Sequence, residues 1–158
     1  MNARTTAAGL IAGAAGTTAL NTITYLDMML RGRPASTVPD AAIEKLGALF
    51  GNGGGDGAAR ESRRTAAGAL GGILTGVVLG TVAAHVRAAG FRPATARGSV
   101  LTGLAAMAAA DVPVAVLGIS DPREWSAADW MSDVVPHLAY GAAVQRTLEL
   151  LDPSPAGG

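Results

Sequence analysis

The amino-acid sequence predicts an all-α integral membrane protein, a four-helix bundle with a short amphipathic helix in its first loop. Four apolar segments are each long enough to cross a bilayer as a helix. Alanine supplies 34 of the 158 residues and glycine 22, whereas aromatic residues make up 4%. A soluble core with so few large side chains would bury little apolar area. Close packing of helix backbones in lipid suits this composition better.

The first apolar segment, residues 5–30, is interrupted by Asn21 and Asp27. A signal peptide is the competing interpretation, but the apolar character continues too far along the chain for a cleaved segment. Asp27 precedes Arg31 by four residues, which predicts an ion pair at the membrane boundary. Small residues offer a packing groove on this helix, either Ala8, Ala12 and Gly16 or Gly9 and Gly13.

The loop that follows is polar and divides into two parts. Residues 38–50 carry apolar side chains at helical spacing, which predicts a short amphipathic helix on the membrane surface or against the bundle. Residues 51–57 read GNGGGDG. That composition is typical of a flexible linker.

The second apolar segment, residues 65–86, contains no charged residue and has a small residue at every fourth position. Small residues at this spacing form a glycine zipper, which lets a partner helix approach closely in lipid. The first segment is the expected partner, and a second copy of the chain is the alternative. The predicted helix-packing residues are Gly68, Gly72, Gly76, Gly80 and Ala84.

The third segment covers residues 98–119, and the fourth, residues 127–151, is the most amphipathic of the four. Together the segments make one transmembrane domain, residues 1–151. The tail, residues 152–158, is rich in proline and glycine and is predicted to be disordered.

Two of these segments place an acid shortly before a proline. Asp111 precedes Pro113, and Asp133 precedes Pro136 and His137. A proline inside a helix cannot donate a backbone hydrogen bond, so each is expected to break its helix and free a carbonyl beside the acid. Ionisable groups within a span are costly. These five residues are therefore a candidate proton- or cation-binding site, and a purely structural carboxyl is the alternative.

Asp129 shares one helix face with Asp133 and His137, because four-residue spacing stacks side chains on a helix. A zinc site on this face would need a further ligand, His85 or Asp111, from another helix. An aqueous-facing polar stripe near the start of the helix is the alternative interpretation.

Other chemistries are excluded by composition or by the absence of motifs. The formal net charge is zero, and no basic cluster is interleaved with aromatics, so nucleic-acid binding is not expected. No cysteine is present, which excludes disulfides and thiolate chemistry. Phosphate-binding loops, nucleophile elbows and zinc-protease pairs are missing. We therefore expect no enzyme activity, catalytic residue, metal or cofactor; an enzyme acting on lipid is a third-ranked hypothesis.

Two stretches carry a resemblance, AAGTTALNTITYLDMMLRGRPAS at 14–36 and DWMSDVVPHLAYG at 129–141. They resemble small multi-pass membrane proteins of uncharacterised function from actinobacterial genomes. The resemblance implies a membrane location and no particular activity. It agrees with a bacterial plasma membrane as the site of the protein, and the arginine-rich connection at 87–97 favours both termini on the cytoplasmic side.

The leading functional hypothesis is a structural or accessory membrane protein that packs through its glycine zipper with itself or with a larger membrane complex. The alternative is a small proton- or ion-coupled transporter or channel component that uses Asp111 and the Asp133/His137 face. The bilayer is the one partner that both hypotheses require.

Overall fold

The computed structural model describes residues 2–49 and 57–152 of the chain. Within these two ranges the regular structure consists of five α-helices and a short 3-10 helix, Pro122–Glu124, with no strand. The predicted all-α class is confirmed. The helices are α1 (Ala3–Arg31), α2 (Val38–Leu49), α3 (Gly57–Ala88), α4 (Thr95–Val116) and α5 (Ala127–Leu151).

The largest difference from the predicted boundaries is at the start of α3. This helix begins at Gly57 rather than at residue 65, so the linker prediction is wrong at Gly57. The early turns of α3 are held by α2, where the Glu44 carboxylate lies 2.6 Å from Arg64 and 3.6 Å from Arg60. Residues 50–56 and 153–158, which hold the rest of the predicted linker and most of the predicted tail, lie outside the described residues.

The helices form an antiparallel row in the order α3, α1, α5, α4, and this row is curved, since its outer helices α3 and α4 also contact each other. Helix α1 packs against both α3 and α5, and α5 packs against both α1 and α4. The first and last helices of the described chain therefore occupy the centre of the row. The start of α1 and the end of α5 share one end of the bundle, here called the terminal end, and the opposite end is called the loop end.

Helix α2 lies across the loop end and joins α3 to α4. Asp40 accepts a 2.7 Å hydrogen bond from the Thr65 hydroxyl, and a Cβ on Gly68 would lie 3.0 Å from Pro39. On the other side, the Lys45 ammonium donates to the carbonyl of Leu117, just beyond α4. Of the two predicted positions for this amphipathic helix, packing against the bundle is the one that the structure shows.

Small side chains are concentrated inside the bundle and large apolar ones outside it. The buried core contains three alanines and a set of glycines, with Tyr140 and Val144 as its largest fully buried side chains. By contrast, Leu74 is 65% exposed and Val116 is 81% exposed. Water would disfavour such a surface, since large contiguous apolar patches are rare on soluble monomers.

Two helices in the described part of the chain, α3 and α4, are long and apolar enough to cross a membrane. Only about a tenth of the most apolar stretch of each is buried inside the protein, which is unlike the core helix of a soluble domain. These two helices are consistent with a membrane location.

Candidate functional site

Helices α1 and α3 approach so closely that their backbones touch. A Cβ added to Gly13 would lie 2.6 Å from the Cα of Val77, and one added to Gly9 would lie 2.5 Å from the Cα of Thr81. A Cβ added to Gly80 would in turn collide with the backbone of Gly13. Neither backbone can move away from a methyl group without separating the helices, so this contact requires glycine on both of them.

The five predicted helix-packing residues of α3 have three different surroundings in the structure. Gly76, Gly80 and Ala84 are buried, and all three lie at the contact with α1. Gly68 lies instead against Pro39 of α2. Nothing lies within 4 Å of the position that a Cβ on Gly72 would take, so Gly72 packs against no other described part of this chain. The reason is geometric: a four-residue repeat drifts around a helix that has 3.6 residues per turn.

Tyr140 of α5 closes the space where α1, α3 and α5 meet. Its side chain is 1% exposed, and its hydroxyl donates a 2.6 Å hydrogen bond to the carbonyl of Gly76. A Cβ on Gly16 would lie 2.7 Å from the Tyr140 ring. This aromatic ring therefore takes the volume that small residues on α1 leave open.

A second glycine contact, between α4 and α5, was not predicted from the sequence. A Cβ on Gly103 would lie 2.6 Å from the carbonyl oxygen of His137, and one on Gly141 would lie 2.6 Å from the amide nitrogen of Gly103. The glycines of α4, Gly98 and Gly103, are five residues apart and do not follow the four-residue repeat. That spacing hides the contact from a search for periodic small residues.

Three of the five residues in the predicted polar site come together near the loop end. The carboxyl groups of Asp111 and Asp133 lie close enough to interact across the interface between α4 and α5, and His137 is near both. The His137 Nδ1 atom lies 2.8 Å from the carbonyl oxygen of Asp133 and 3.3 Å from its carboxylate. We call these three residues the carboxyl–imidazole cluster.

The cluster is enclosed but not saturated with hydrogen bonds. The side chain of His137 is 12% exposed and that of Asp133 is 24% exposed. One carboxylate oxygen on Asp111 and one on Asp133 are buried without a hydrogen-bond partner. Two ionised carboxylates offer acceptors only, so a hydrogen bond between them requires a proton on one of them. The geometry is therefore suited to holding a proton.

The two prolines of the predicted site lie inside unbroken helices. Helix α4 continues past Pro113 to Val116, and α5 continues past Pro136 to Leu151. The predicted helix breaks are therefore wrong. Packing against neighbouring helices keeps each helix continuous at the point where proline lacks a backbone N–H donor. The same holds for many prolines in membrane helices.

A separate group of charged side chains surrounds Asp27 at the end of α1. The predicted partner, Arg31, lies 3.2 Å away, and Arg33 donates a second hydrogen bond to the same carboxylate. Ser132 of α5 donates to Asp27 at 3.1 Å and accepts from Arg31 at 2.6 Å. The network thus joins α1 to α5 at Ser132. Because Ser132 directly precedes Asp133, the network lies beside the carboxyl–imidazole cluster.

Metal binding finds no support in the described residues, where no group of three or more acid or histidine side chains is arranged to hold an ion. His85, a candidate extra ligand, lies near the terminal end of α3, with its Nδ1 atom 2.9 Å from the carbonyl oxygen of Thr81. The carboxyl–imidazole cluster lies at the opposite end of the bundle. The described geometry therefore does not bring His85 to the Asp133 face.

Asp129, the other acid on that face, is held at the start of α5. Its carboxylate accepts hydrogen bonds from the backbone amide and the hydroxyl of Ser126, at 2.9 and 2.6 Å, and so completes a capping box. Asp129 is thus used to begin the helix rather than to extend the carboxyl–imidazole cluster.

Comparison of the chain with protein-family models, with curated proteins and with solved structures finds no match.

Proposed function

We propose that the chain is a bacterial plasma-membrane protein that crosses the bilayer four times, through α1, α3, α4 and α5. Support comes from the apolar outer surfaces of α3 and α4 and from the glycine contacts inside the row. Helices α1 and α5 lie between α3 and α4, which would shield their polar residues from lipid. The start of α1 and the end of α5 share one end of the bundle, and the arginines of the α3–α4 connection favour the cytoplasm for that end.

Within this protein, the carboxyl–imidazole cluster is proposed to bind and release a proton as part of a proton-coupled transport or channel activity. The observation that supports this most is the proximity of Asp111 to Asp133, each with a buried oxygen that has no hydrogen-bond partner. A proton shared between the two carboxyls would satisfy both groups. Its release would leave two like charges in contact in a region of low dielectric constant, where repulsion is strong.

This repulsion gives the site a way to move helices. With the proton present, the two carboxyls hold the loop ends of α4 and α5 together. Without it, the charges push these ends apart, and His137 beside Asp133 offers an alternative position for the proton. A ligand or proton shifts a conformational equilibrium only through such a difference between two states.

The absence of cysteine from the chain allows a direct test. Cysteines replacing the exposed Val116 and Met131 would carry spin labels on the loop ends of α4 and α5. In nanodiscs, we expect the distance between the labels to increase from acidic to alkaline buffer. Asp111→Asn should remove this change, because a neutral amide replaces one of the two carboxyls.

The matched control is Glu61→Gln, which removes an exposed carboxyl at the same end of the bundle. It should leave the pH response as it is in the unmodified protein. A pH response that survives Asp111→Asn, or that Glu61→Gln removes equally, would rule out the carboxyl–imidazole cluster as its source. Loss of folding in the Asp111→Asn variant would instead support a structural carboxyl.

A structural or accessory role is the second candidate, and an observation on the outer face of α3 favours it. Nothing lies within 4 Å of the Cβ positions of Gly71 and Gly72, whereas Gly76 and Gly80 are already used within the chain. Gly71 and Gly72 thus leave an outward strip on which a further helix of a larger membrane complex, or of a second copy, could pack.

Affinity purification from native membranes, followed by mass spectrometry, tests this second candidate. We expect a stoichiometric partner that Gly72→Leu releases and that Leu74→Ala retains. If purification yields the chain alone, without a partner or a second copy, the accessory role is rejected.

A further inference from the structure

A lateral groove opens between the end of α3 and the start of α4, at the terminal end of the bundle. Its walls are apolar side chains of both helices, and the side chain of Gln145 on α5 contributes to its floor. Gln145 is buried and donates a 2.7 Å hydrogen bond to the hydroxyl of Thr102. The apolar residues that line the groove include Leu79, Val82, Val86, Phe91, Leu101 and Ala105.

The groove has the shape and polarity for a hydrocarbon chain. On α4 it runs from Gly98 to Ala105, which is about 10 Å along the helix axis. Leu101 and Phe91 remain 45% and 57% exposed, so the groove is open on the side where the proposed bilayer would lie. An acyl chain entering from that side would cover these surfaces without crossing a polar barrier.

The groove opens at a basic end of the bundle, and Arg87 is the charged residue in its lining. Five arginines belong to the terminal end, whereas the described residues supply two acids there, Glu149 and Asp152. Asp152 pairs with Arg87 at 3.3 Å and with Arg92 as well. The five arginines are Arg4, Arg87, Arg92, Arg97 and Arg146.

Arg97 differs from the three arginines that pair with acids at this end, and from Arg4 in that it belongs to α4, a helix that lines the groove. It is exposed, and among the described residues it makes no ion pair with an acid. It precedes Leu101 by one helical turn, so the two residues share a face of α4. Arg97 is thereby placed at the level of lipid head groups, directly beyond the apolar wall that Leu101 provides.

We infer that this groove binds one acyl chain of an anionic phospholipid, with its phosphate held at Arg97. The occupant follows from charge complementarity at the mouth, since basic pockets between membrane helices favour anionic head groups. The inference depends on the proposed membrane location but not on the carboxyl–imidazole cluster, which lies at the other end of the bundle.

The experiment begins with carbonate extraction of membranes that contain the full chain. If the protein is released, the proposed location and the lipid site both fail. If it is retained, native mass spectrometry of the detergent-purified protein then compares phosphatidylglycerol with phosphatidylcholine of identical acyl chains. We expect phosphatidylglycerol to bind about fivefold more tightly, the effect of one favourable arginine contact. Equal binding of the two lipids would overturn the inference and leave the membrane location standing.

Arg97→Gln should remove the preference for phosphatidylglycerol. Its matched control is Arg63→Gln, at an exposed arginine near the opposite end of the bundle that also makes no ion pair with an acid among the described residues. This control should retain the fivefold preference. Equal losses in the two variants would show a general effect of charge and would overturn the site.

The acyl-chain part of the inference is tested by filling the groove. Ala105→Phe places a ring where the chain would lie and should weaken phosphatidylglycerol binding about tenfold. Ala110→Phe adds the same ring to an exposed position on another face of α4 and should leave binding unchanged. Circular dichroism checks that both variants are folded. Undiminished binding to Ala105→Phe would place the lipid elsewhere.

Discussion

Hydropathy alone would place the most apolar helices in the centre of the bundle, but the structure places them on the outside. Helices α3 and α4 are the most apolar, yet they lie at the edges of the row and expose most of their surface. Helices α1 and α5 carry the Asp27 network and the Asp133/His137 face, yet each is covered on two sides. The apolar residues thus cover the bundle, while small and polar residues hold it together.

The largest effect is expected where an outer helix meets a central one, at Gly80. Gly80→Leu drives a side chain into the backbone of Gly13 and should destabilise the bundle by about 3 kcal/mol or more, or prevent its assembly. Thermal unfolding in detergent measures this loss.

The control on the same helix is Gly72→Leu, where nothing lies within 4 Å of the new Cβ. It should leave the unfolding temperature unchanged or slightly raised, because leucine is a better helix former than glycine. Similar losses for both variants would mean that the two faces of α3 are equivalent, and the distinction between the covered and the outward face would be lost.

A smaller effect is expected at the other junction between an outer and a central helix. Gly141→Ala adds a methyl group against the backbone of Gly103 and should cost about 2 kcal/mol. Gly71→Ala has open space around it, and alanine should improve the helix there by up to about 1 kcal/mol. Chemical unfolding of the two variants should therefore shift in opposite directions, and a shared direction would contradict the contact between α4 and α5.

The smallest effect concerns the link between the central pair and α3. Tyr140→Phe keeps the buried ring but loses the hydrogen bond to the carbonyl of Gly76, which should cost about 1 kcal/mol. Tyr25→Phe removes a hydroxyl from a side chain that is 63% exposed and should cost much less. Calorimetry on the two variants separates these values, and equal costs would show that the buried hydroxyl contributes nothing.

The sequence predicted the all-α class and the helical segments, because apolar length and small-residue spacing are local properties. It did not predict which helices are central. Hydropathy ranks α3 and α4 highest, and that ranking reports exposure to lipid rather than position in the row. The contact between Gly103 and Gly141 was missed because the glycines of α4 do not recur at a fixed interval.

The candidate polar residues were predicted from each helix separately. Their proximity in the fold depends on the register between the helices. A shift of one helical turn between α4 and α5 moves Asp111 about 5.4 Å from Asp133, and no feature of either helix alone fixes that register. The backbone contact of Gly103 with His137 fixes it in the folded chain. The behaviour of Pro113 and Pro136 also depends on neighbouring helices, which is why breaks predicted from single helices did not occur.

The central position of α1 has a consequence for biosynthesis. Its Gly16 packs against Tyr140 and Val144, which belong to the last helix. During synthesis, α1 is therefore completed long before the residues that cover its second side exist. Until α5 emerges, α3 alone can shield α1, through the contacts of Gly9 and Gly13. The close glycine contact with α3 can therefore form before α5 is synthesised, whereas Tyr140 and Val144 can cover α1 only afterwards.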